Sequence, residues 1–184
     1  MSTFQELCLN KELDSYGTSR VFKRRMDRLF FKRNLVTYLG VAVPALVGAS
    51  ALAFGTKVFE FLVYPAGVAV VIQLGVSLWA IVAQWDGKFA YAVNAMQANL
   101  RICQSWKSLR ANPPPNQQDA QDAFDLLSAE DGRQEAADLT QNIKDSEIRY
   151  GMRMSLYQYR VACAVCKLVP ENPKPTDCHT CGKF

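Results

Sequence analysis

Two long runs of apolar residues, neither containing a charged side chain, lie close together in the first half of the chain. They cover residues 35–54 and 61–83, and six residues separate them. Because a helix rises about 1.5 Å per residue, each run is about as long as the roughly 30 Å hydrocarbon core of a bilayer is thick. The pattern therefore predicts a transmembrane hairpin. Two buried core helices are the alternative, and the length of both uncharged runs argues against them.

The second run contains a semi-polar stripe whose members are spaced three or four residues apart and so share one helical face. The members are Ala66, Ala69, Gln73, Ser77, Ala80 and Gln84. A buried amide in hydrocarbon needs a hydrogen-bonding partner, which leaves two interpretations open. Either Gln73 packs against another helix, or the polar positions Gln73, Ser77 and Gln84 line an aqueous path that several copies of the chain enclose. In the first run, small residues recur every four positions and allow close helix packing, namely Ala45, Ala49 and Ala53.

Helical periodicity continues on both sides of the predicted hairpin. Residues 1–34 form a basic amphipathic segment, which indicates a helix lying at the lipid headgroups or packing on its neighbours. Residues 84–160 predict a cytosolic helical region. One helix continues from the second run towards the prolines at 113–115, a short acidic helix covers 117–129, and Gly132 separates it from a longer helix over 133–160.

The apolar positions of this region predict which helical faces are buried. In the first of the three helices, the expected seam comprises Phe89, Val93, Met96, Leu100, Cys103 and Trp106. In the other two, the expected inward positions include Phe124, Leu127, Leu139, Ile143 and Tyr150. We expect the long last helix to fold back along the first, within one subunit or between subunits.

Charge is distributed unevenly along the chain, which carries 21 basic and 17 acidic side chains. Residues 1–34 have a net charge of +4 and residues 116–147 a net charge of −7. The acidic segment either folds against basic neighbours or exposes a solvated face. Because basic residues crowd positions 20–33 while the short connection has Lys57 alone, the positive-inside rule places both termini in the cytosol.

The basic residues also indicate which partner the protein binds and whether a signal peptide is cleaved. The basic residues are not interleaved with aromatic ones in a nucleic-acid-binding pattern, so we expect a lipid bilayer as partner and no nucleic acid. The charged leader is too long for a signal peptide that is cleaved, and the first apolar run exceeds a typical signal core.

Four cysteines near the C-terminus form two CxxC pairs separated by eleven residues, namely Cys163, Cys166, Cys178 and Cys181. Two thiolates on each of two tight turns complete a tetrahedron around zinc, so we expect a closed, structural zinc site in a small knuckle or ribbon. An iron–sulfur centre and a redox pair are the alternatives. We expect His179 to be exposed or beside the ligands, and Cys8 and Cys103 to be ordinary thiols.

Signals of catalysis are absent from the sequence. The single histidine lies in the metal tail, and the chain has no P-loop, no GxGxxG and no HExxH motif. We therefore expect that the protein is not an enzyme.

The organisation of the whole chain resembles two known groups. A basic helix that leads into two closely spaced spans and then cytosolic helices resembles the SLATT superfamily of two-transmembrane proteins in bacterial conflict systems. The tail of residues 161–184 is similar to mobile-element proteins named for a CxxC-x11-CxxC motif. We therefore expect an all-α, multi-pass protein of the bacterial inner membrane, with a hairpin over residues 35–83.

The first resemblance implies a function. It implies a homo-oligomeric, pore-forming effector that perturbs the membrane in antiphage defence, beside a signalling or sensor partner. Two alternatives remain. One is a non-conducting scaffold whose zinc tail recruits a cytosolic protein, and the other is a membrane redox protein.

Overall fold

The chain folds into helices, as its periodicity predicts. The computed structural model describes residues 3–54 and 56–184, apart from the side chains of residues 51, 54, 56–60 and 62. This described part contains five helices and no strand, and the helices are α1 (Phe4–Phe54), α2 (Thr56–Val82), α3 (Trp85–Ala111), α4 (Gln117–Leu139) and α5 (Asp145–Tyr159). The all-α prediction is confirmed.

The boundaries of α2 differ from those of the second apolar run. The helix begins at Thr56, inside the predicted six-residue connection, and ends at Val82. Gln84 then adopts a left-handed backbone conformation with a φ of 54° before α3 begins. The second run therefore does not continue without interruption into the following helix.

Gly132 does not separate two helices, contrary to the prediction, because it lies within α4. A glycine inside a helix costs only about 1 kcal/mol relative to alanine, and the flanking turns of α4 are held by buried side chains at Leu127 and Asp131. The break comes later, where Asn142 has a φ of 49°. The backbone N–H of Lys144 then donates to the Glu147 carboxylate at 3.1 Å and starts α5.

The helices are grouped in two compact units. The first unit comprises Met1–Arg24 and Ala92–Phe184, and the second comprises Arg25–Tyr91. In the first unit, Cys8, Ile102, Trp106 and Leu127 form a core cluster, and Phe124 packs edge-on against Trp106 with ring centroids 5.0 Å apart. Helices α1, α3 and α4 therefore share one core in this unit.

Helix α5 crosses α1 at two glycines. A Cβ atom on Gly151 would lie 2.8 Å from the Gly17 carbonyl oxygen, so the two backbones can approach this closely only without side chains there. Next to this point, Ser155 donates a hydrogen bond from its hydroxyl to the Leu13 carbonyl at 2.7 Å. The expected contact of α5 with α3 is also present, since the Cys103 thiol lies 3.4 Å from the Tyr159 hydroxyl.

The buried face of α4 is more polar than predicted. Leu127 is buried as expected, but Asp131 and Asp138 are also buried while Leu139 is 71 % exposed. The acids have partners elsewhere in the first unit. Lys11 pairs with Asp131 at 3.3 Å, and the Asn99 amide donates to Asp138 at 2.7 Å. The acidic segment thus folds in part against basic and polar neighbours in the same chain.

The second unit carries the membrane candidate. One helical segment in the described part of the chain, Val63–Val82, is long and apolar enough to cross a membrane, with a mean hydropathy of 2.0 and no residue buried inside the protein. The first predicted span forms the end of α1, and the side chains of residues 51 and 54 lie outside the described residues. The two-span hairpin therefore stays a prediction.

Candidate metal centre

Two matching turns present the four cysteines. In the first, the backbone N–H of Lys167 donates to the Cys163 carbonyl at 2.9 Å, and in the second the N–H of Gly182 donates to the Cys178 carbonyl at 2.9 Å. Each hydrogen bond joins the first cysteine of a CxxC pair to the residue after the second cysteine. The spacing in the sequence therefore produces the same local structure twice.

The four sulfur atoms converge. Every Sγ atom lies within 4.8 Å of each of the others, and the Sγ atoms of Cys166 and Cys181 are 3.9 Å apart. A tetrahedral site with metal–sulfur bonds of about 2.3 Å places its sulfurs roughly 3.8 Å from one another. The cysteines can therefore hold one metal ion, with the whole tetrahedron supplied by the chain.

The site is half enclosed. Cys163 and Cys181 are buried, whereas Cys166 and Cys178 are partly exposed. Leu156 of α5 belongs to the same buried cluster, and Met152 packs against it. Leu156 and Met152 thus pack on the side of Cys163 and Cys181, whereas Cys166 and Cys178 lie on the side of the solvent.

The thiols of the site differ in acidity. Hydrogen bonds from the backbone N–H groups of Cys181 and Thr180 lower the pKa of the Cys178 thiol to about 6. Burial raises the pKa of the Cys181 thiol to about 12, against the favourable contact of Arg153. Four thiolates this close repel one another, so a metal cation is the natural means of ionising all of them.

The second turn requires a glycine. A Cβ atom on Gly182 would collide with the Thr176 carbonyl oxygen. The next residue, Lys183, has a φ of 52° and donates its N–H to the same Thr176 carbonyl at 2.9 Å. The close approach of these two segments of the tail explains the Cys181-Gly182 pair in the sequence.

The comparison with protein families matches almost the whole chain. Residues 5–184 match the family described as mobilome CxxCx(11)CxxC protein. The chain belongs to this family. No curated protein and no solved structure matches it. The resemblance to the SLATT superfamily has no counterpart among these matches and stays a proposal.

In this mobilome CxxCx(11)CxxC protein, α5 holds the tail through contacts that the sequence analysis missed. Arg153 is 7 % exposed, donates from Nε to the Asn172 carbonyl at 3.1 Å, and places Nη1 3.9 Å from the Cys181 sulfur. Arg149 donates to the Lys183 carbonyl at 3.0 Å. The available signal was their i, i+4 spacing on α5, which puts both arginines on one face.

The remaining sulfur and imidazole groups lie apart from the metal-binding set. His179 is exposed, as expected. Cys8 and Cys103 are buried in the helical part of the first unit, and burial raises the pKa of both thiols. A buried, protonated thiol is a weak nucleophile and a weak ligand, which agrees with their interpretation as ordinary thiols.

The stripe on α2 faces α1 within the second unit. Five predicted members are partly buried while most positions between them are exposed, namely Ala66, Ala69, Gln73, Ser77 and Ala80. When the Gln73 amide is assigned with its nitrogen facing Leu39 and its oxygen facing Gly40, it donates to the Leu39 carbonyl at 3.3 Å and accepts from the Gly40 N–H at 2.7 Å. Gln84 is exposed and lies beyond the end of α2, so the structure does not bring it together with Gln73 and Ser77.

Proposed function

We propose that this protein is an oligomeric effector of the bacterial inner membrane, in which α2 and the end of α1 span the bilayer as a hairpin. The observation that carries the proposal is the exposed apolar surface of Val63–Val82, a segment in which no residue is fully buried. On α1, Leu35, Val41 and Leu46 are exposed as well. Apolar surface of this extent is covered by lipid or by other copies of the chain.

A collar of basic and aromatic side chains at one end of this surface supports a position at the headgroups. Lys32 lies over the Trp85 ring at 5.5 Å, and Arg33 lies over the Phe89 ring at 4.5 Å. Phe30 and Phe31 are more than half exposed beside them. Basic and aromatic residues together are typical of the cytosolic membrane interface, which supports termini in the cytosol.

Oligomer formation would use a face of α1 that α2 leaves open. Since Gln73 contacts Leu39 and Gly40 within one chain, we favour its packing interpretation over a pore lining. The small residues Ala45 and Ala49 are exposed on α1. Small residues at this spacing let helices from different copies approach closely in lipid, and permeabilisation would follow from assembly through this row.

In this proposal the tail binds zinc. Four thiolates close the coordination sphere and leave no position for a substrate, so the metal has a structural role. A signalling or sensor protein would act on the first unit, whose fold includes the tail.

The test of the effector proposal is dye uptake during induced expression in bacteria. The wild-type protein should depolarise the membrane and admit a normally excluded dye. An Ala45→Leu, Ala49→Leu variant should lower uptake at least tenfold at equal membrane abundance, because bulk in the small row keeps copies apart. Leu46→Phe is the matched control, because it adds bulk at an exposed apolar position outside this row, and it should leave uptake unchanged.

A non-conducting scaffold is the second candidate, and a surface of the tail favours it. Val165 is 62 % exposed and Leu168 is 69 % exposed, the first within the first CxxC pair and the second just after it. An apolar patch on a rigid metal-held loop suits the recruitment of a cytosolic protein. No leakage at any expression level would reject the effector and leave the scaffold.

A further inference from the structure

A cavity of about 410 Å³ opens in the first unit between α1, α3, α4 and α5. Gly17 and Gly151 line it where α1 and α5 cross, and Asn99, Asp138 and Ser155 line it from the other sides. A volume of this size suits a small organic molecule. Neither the proposed membrane assembly nor the metal centre uses this cavity.

The walls of the cavity combine apolar and acidic groups. Among the described lining residues, Lys11 is the single basic side chain, against four acids at Asp14, Asp131, Glu135 and Asp138. The ion pair of Lys11 with Asp131 at 3.3 Å cancels one of these charges. Asp138 is 2 % exposed, while Asp14 and Glu135 are open to solvent at the mouth. The interior therefore has a negative potential.

The negative charges lie closest together at the mouth of the cavity, around Asp14. Asp14 is exposed as a residue, but its neighbours partly desolvate the carboxyl group and raise its pKa above the ordinary value, and the Lys11 charge opposes this effect. The negative charges of Asp131 and Glu135 raise it further. These carboxylates would be relieved by a positive group placed among them.

The apolar part of the lining gives the occupant a second property. Val21, Ile143, Ile148 and Met152 contribute aliphatic surface. A bare inorganic cation would gain nothing from these walls. An amine with an apolar body would bury its body against them and keep its charge at the carboxylates.

The spread of the acids also argues against a metal ion. In the described part of the chain, the only group of three or more potential ligands with atoms within 4.8 Å of one another is the cysteine set. The carboxylates of the cavity are thus too dispersed to surround one metal ion. An anionic ligand such as a nucleotide would be repelled by them.

We propose that this cavity binds a small organic cation with an apolar body, whose charged nitrogen lies beside Asp14 and Glu135. Occupancy would reach the metal centre through α5, because Met152 both lines the cavity and packs against the cluster of Leu156, Cys163 and Cys181. The proposal concerns the first unit and holds whether or not the protein permeabilises a membrane.

Calorimetric titration of the full chain in detergent tests the proposal with two amines that carry an apolar body, phenethylamine and tryptamine. Phenethyl alcohol and tryptophol are matched probes, since a hydroxyl replaces the ammonium on the same body. We expect at least one of the two amines to bind with a Kd below about 1 mM, and at least tenfold more tightly than its matched alcohol.

The variants locate the binding. The double variant Asp14→Asn, Glu135→Gln should lower the affinity for the amine at least tenfold. Asp119→Asn, Asp122→Asn is the control, because it removes the same charge from exposed positions of α4 outside the cavity lining. Melting curves check that all forms fold. Failure of both amines to bind, equal affinity for amine and alcohol, equal loss of affinity in both variants, or tighter binding of ATP would overturn the proposal.

Discussion

Gly17 of α1 and Gly151 of α5 are needed for a contact between two helices and not for their own backbone conformations. Neither Gly17 nor Gly151 has a positive φ, so their role is space for the crossing of α1 and α5. A Cβ on Gly17 would lie 2.8 Å from the Ser155 hydroxyl and 3.0 Å from the Gly151 carbonyl oxygen. Gly132, by contrast, has nothing within 4 Å of the position that a Cβ would occupy.

Alanine substitutions should separate these two roles. Gly151→Ala should lower the free energy of unfolding by about 1–2 kcal/mol, because the strain of overpacking exceeds the gain in helix propensity. Gly132→Ala should raise it by up to about 1 kcal/mol, since helix propensity improves without a clash. Chemical denaturation in one detergent, followed by circular dichroism, measures both. A stabilising Gly151→Ala would show that the two helices have room for a side chain at their crossing.

At this scale, residue types and their spacing predicted the roles of some residues but not of others. The four cysteines were found from their spacing, because a CxxC turn is formed by neighbours in the chain. From the sequence, Gly151 only weakens a helix, and the one sign of a role for Arg153 is its i, i+4 spacing from Arg149. Their functions depend on Gly17 and Cys181, which lie far away in the sequence.

At the level of elements, a buried ion pair joins α1 to α3. Glu12 is fully buried and accepts a hydrogen bond from Arg110 Nε at 2.9 Å, whereas Arg110 is one-third exposed. A buried carboxylate without its cation is costly. The register of α1 against α3 is therefore set by this pair as well as by the apolar cluster around Trp106.

Removal of the Arg110 side chain should show how much the stability depends on its pair with Glu12. Arg110→Ala should destabilise the first unit by about 3 kcal/mol, because Glu12 stays buried without a counter-charge. Adding Glu12→Gln should recover part of the loss, since a neutral amide is cheaper to bury. Asp86→Ala, which breaks the exposed pair with Arg33 and leaves Arg33 over the Phe89 ring, is the control and should cost less than about 1 kcal/mol. Equal losses of stability for Arg110→Ala and Asp86→Ala would contradict a special role for the buried pair.

The predicted helices were recovered better than their buried faces. The prolines at 113–115 follow the end of α3 at Ala111, and Cys103 and Trp106 lie in the core as expected. The prediction was wrong for α4, where hydrophobicity favoured Leu139 over Asp138. An acid is buried there because Asn99 donates to it, and a single helix does not reveal a partner on another helix.

At the level of the whole molecule, the tail contacts α5, and its four cysteines are placed so that they can hold a metal ion. The tail has no regular helix or strand, and its contacts with α5 run through Arg149 and Arg153. A ring contact adds to them, with Tyr150 and Phe184 centroids 5.4 Å apart. Metal binding at four thiolates can contribute on the order of 10 kcal/mol to such a fold.

Metal removal should therefore release the tail. We expect about one zinc per purified chain by elemental analysis, lost on treatment with a strong chelator. Proteases should then cleave within residues 167–177, while the helices of the first unit stay protected. Cys181→Ser should behave like the chelated protein, and Cys103→Ser should keep its metal. Iron in the purified protein, together with visible absorbance, would indicate an iron–sulfur centre and not a zinc site. A tail that resists proteases without metal would refute the structural role of the metal.

The sequence by itself determined the helical class, the long apolar segment of α2 and the metal-binding tail, because each depends on residues a few positions apart. Tertiary structure decided which side of α2 meets α1, why acids are buried in α4, and where α5 crosses α1. It also created the acidic cavity, whose walls come from four helices. These features arise from pairs of side chains distant in the chain, and only the folded backbone brings such pairs within contact.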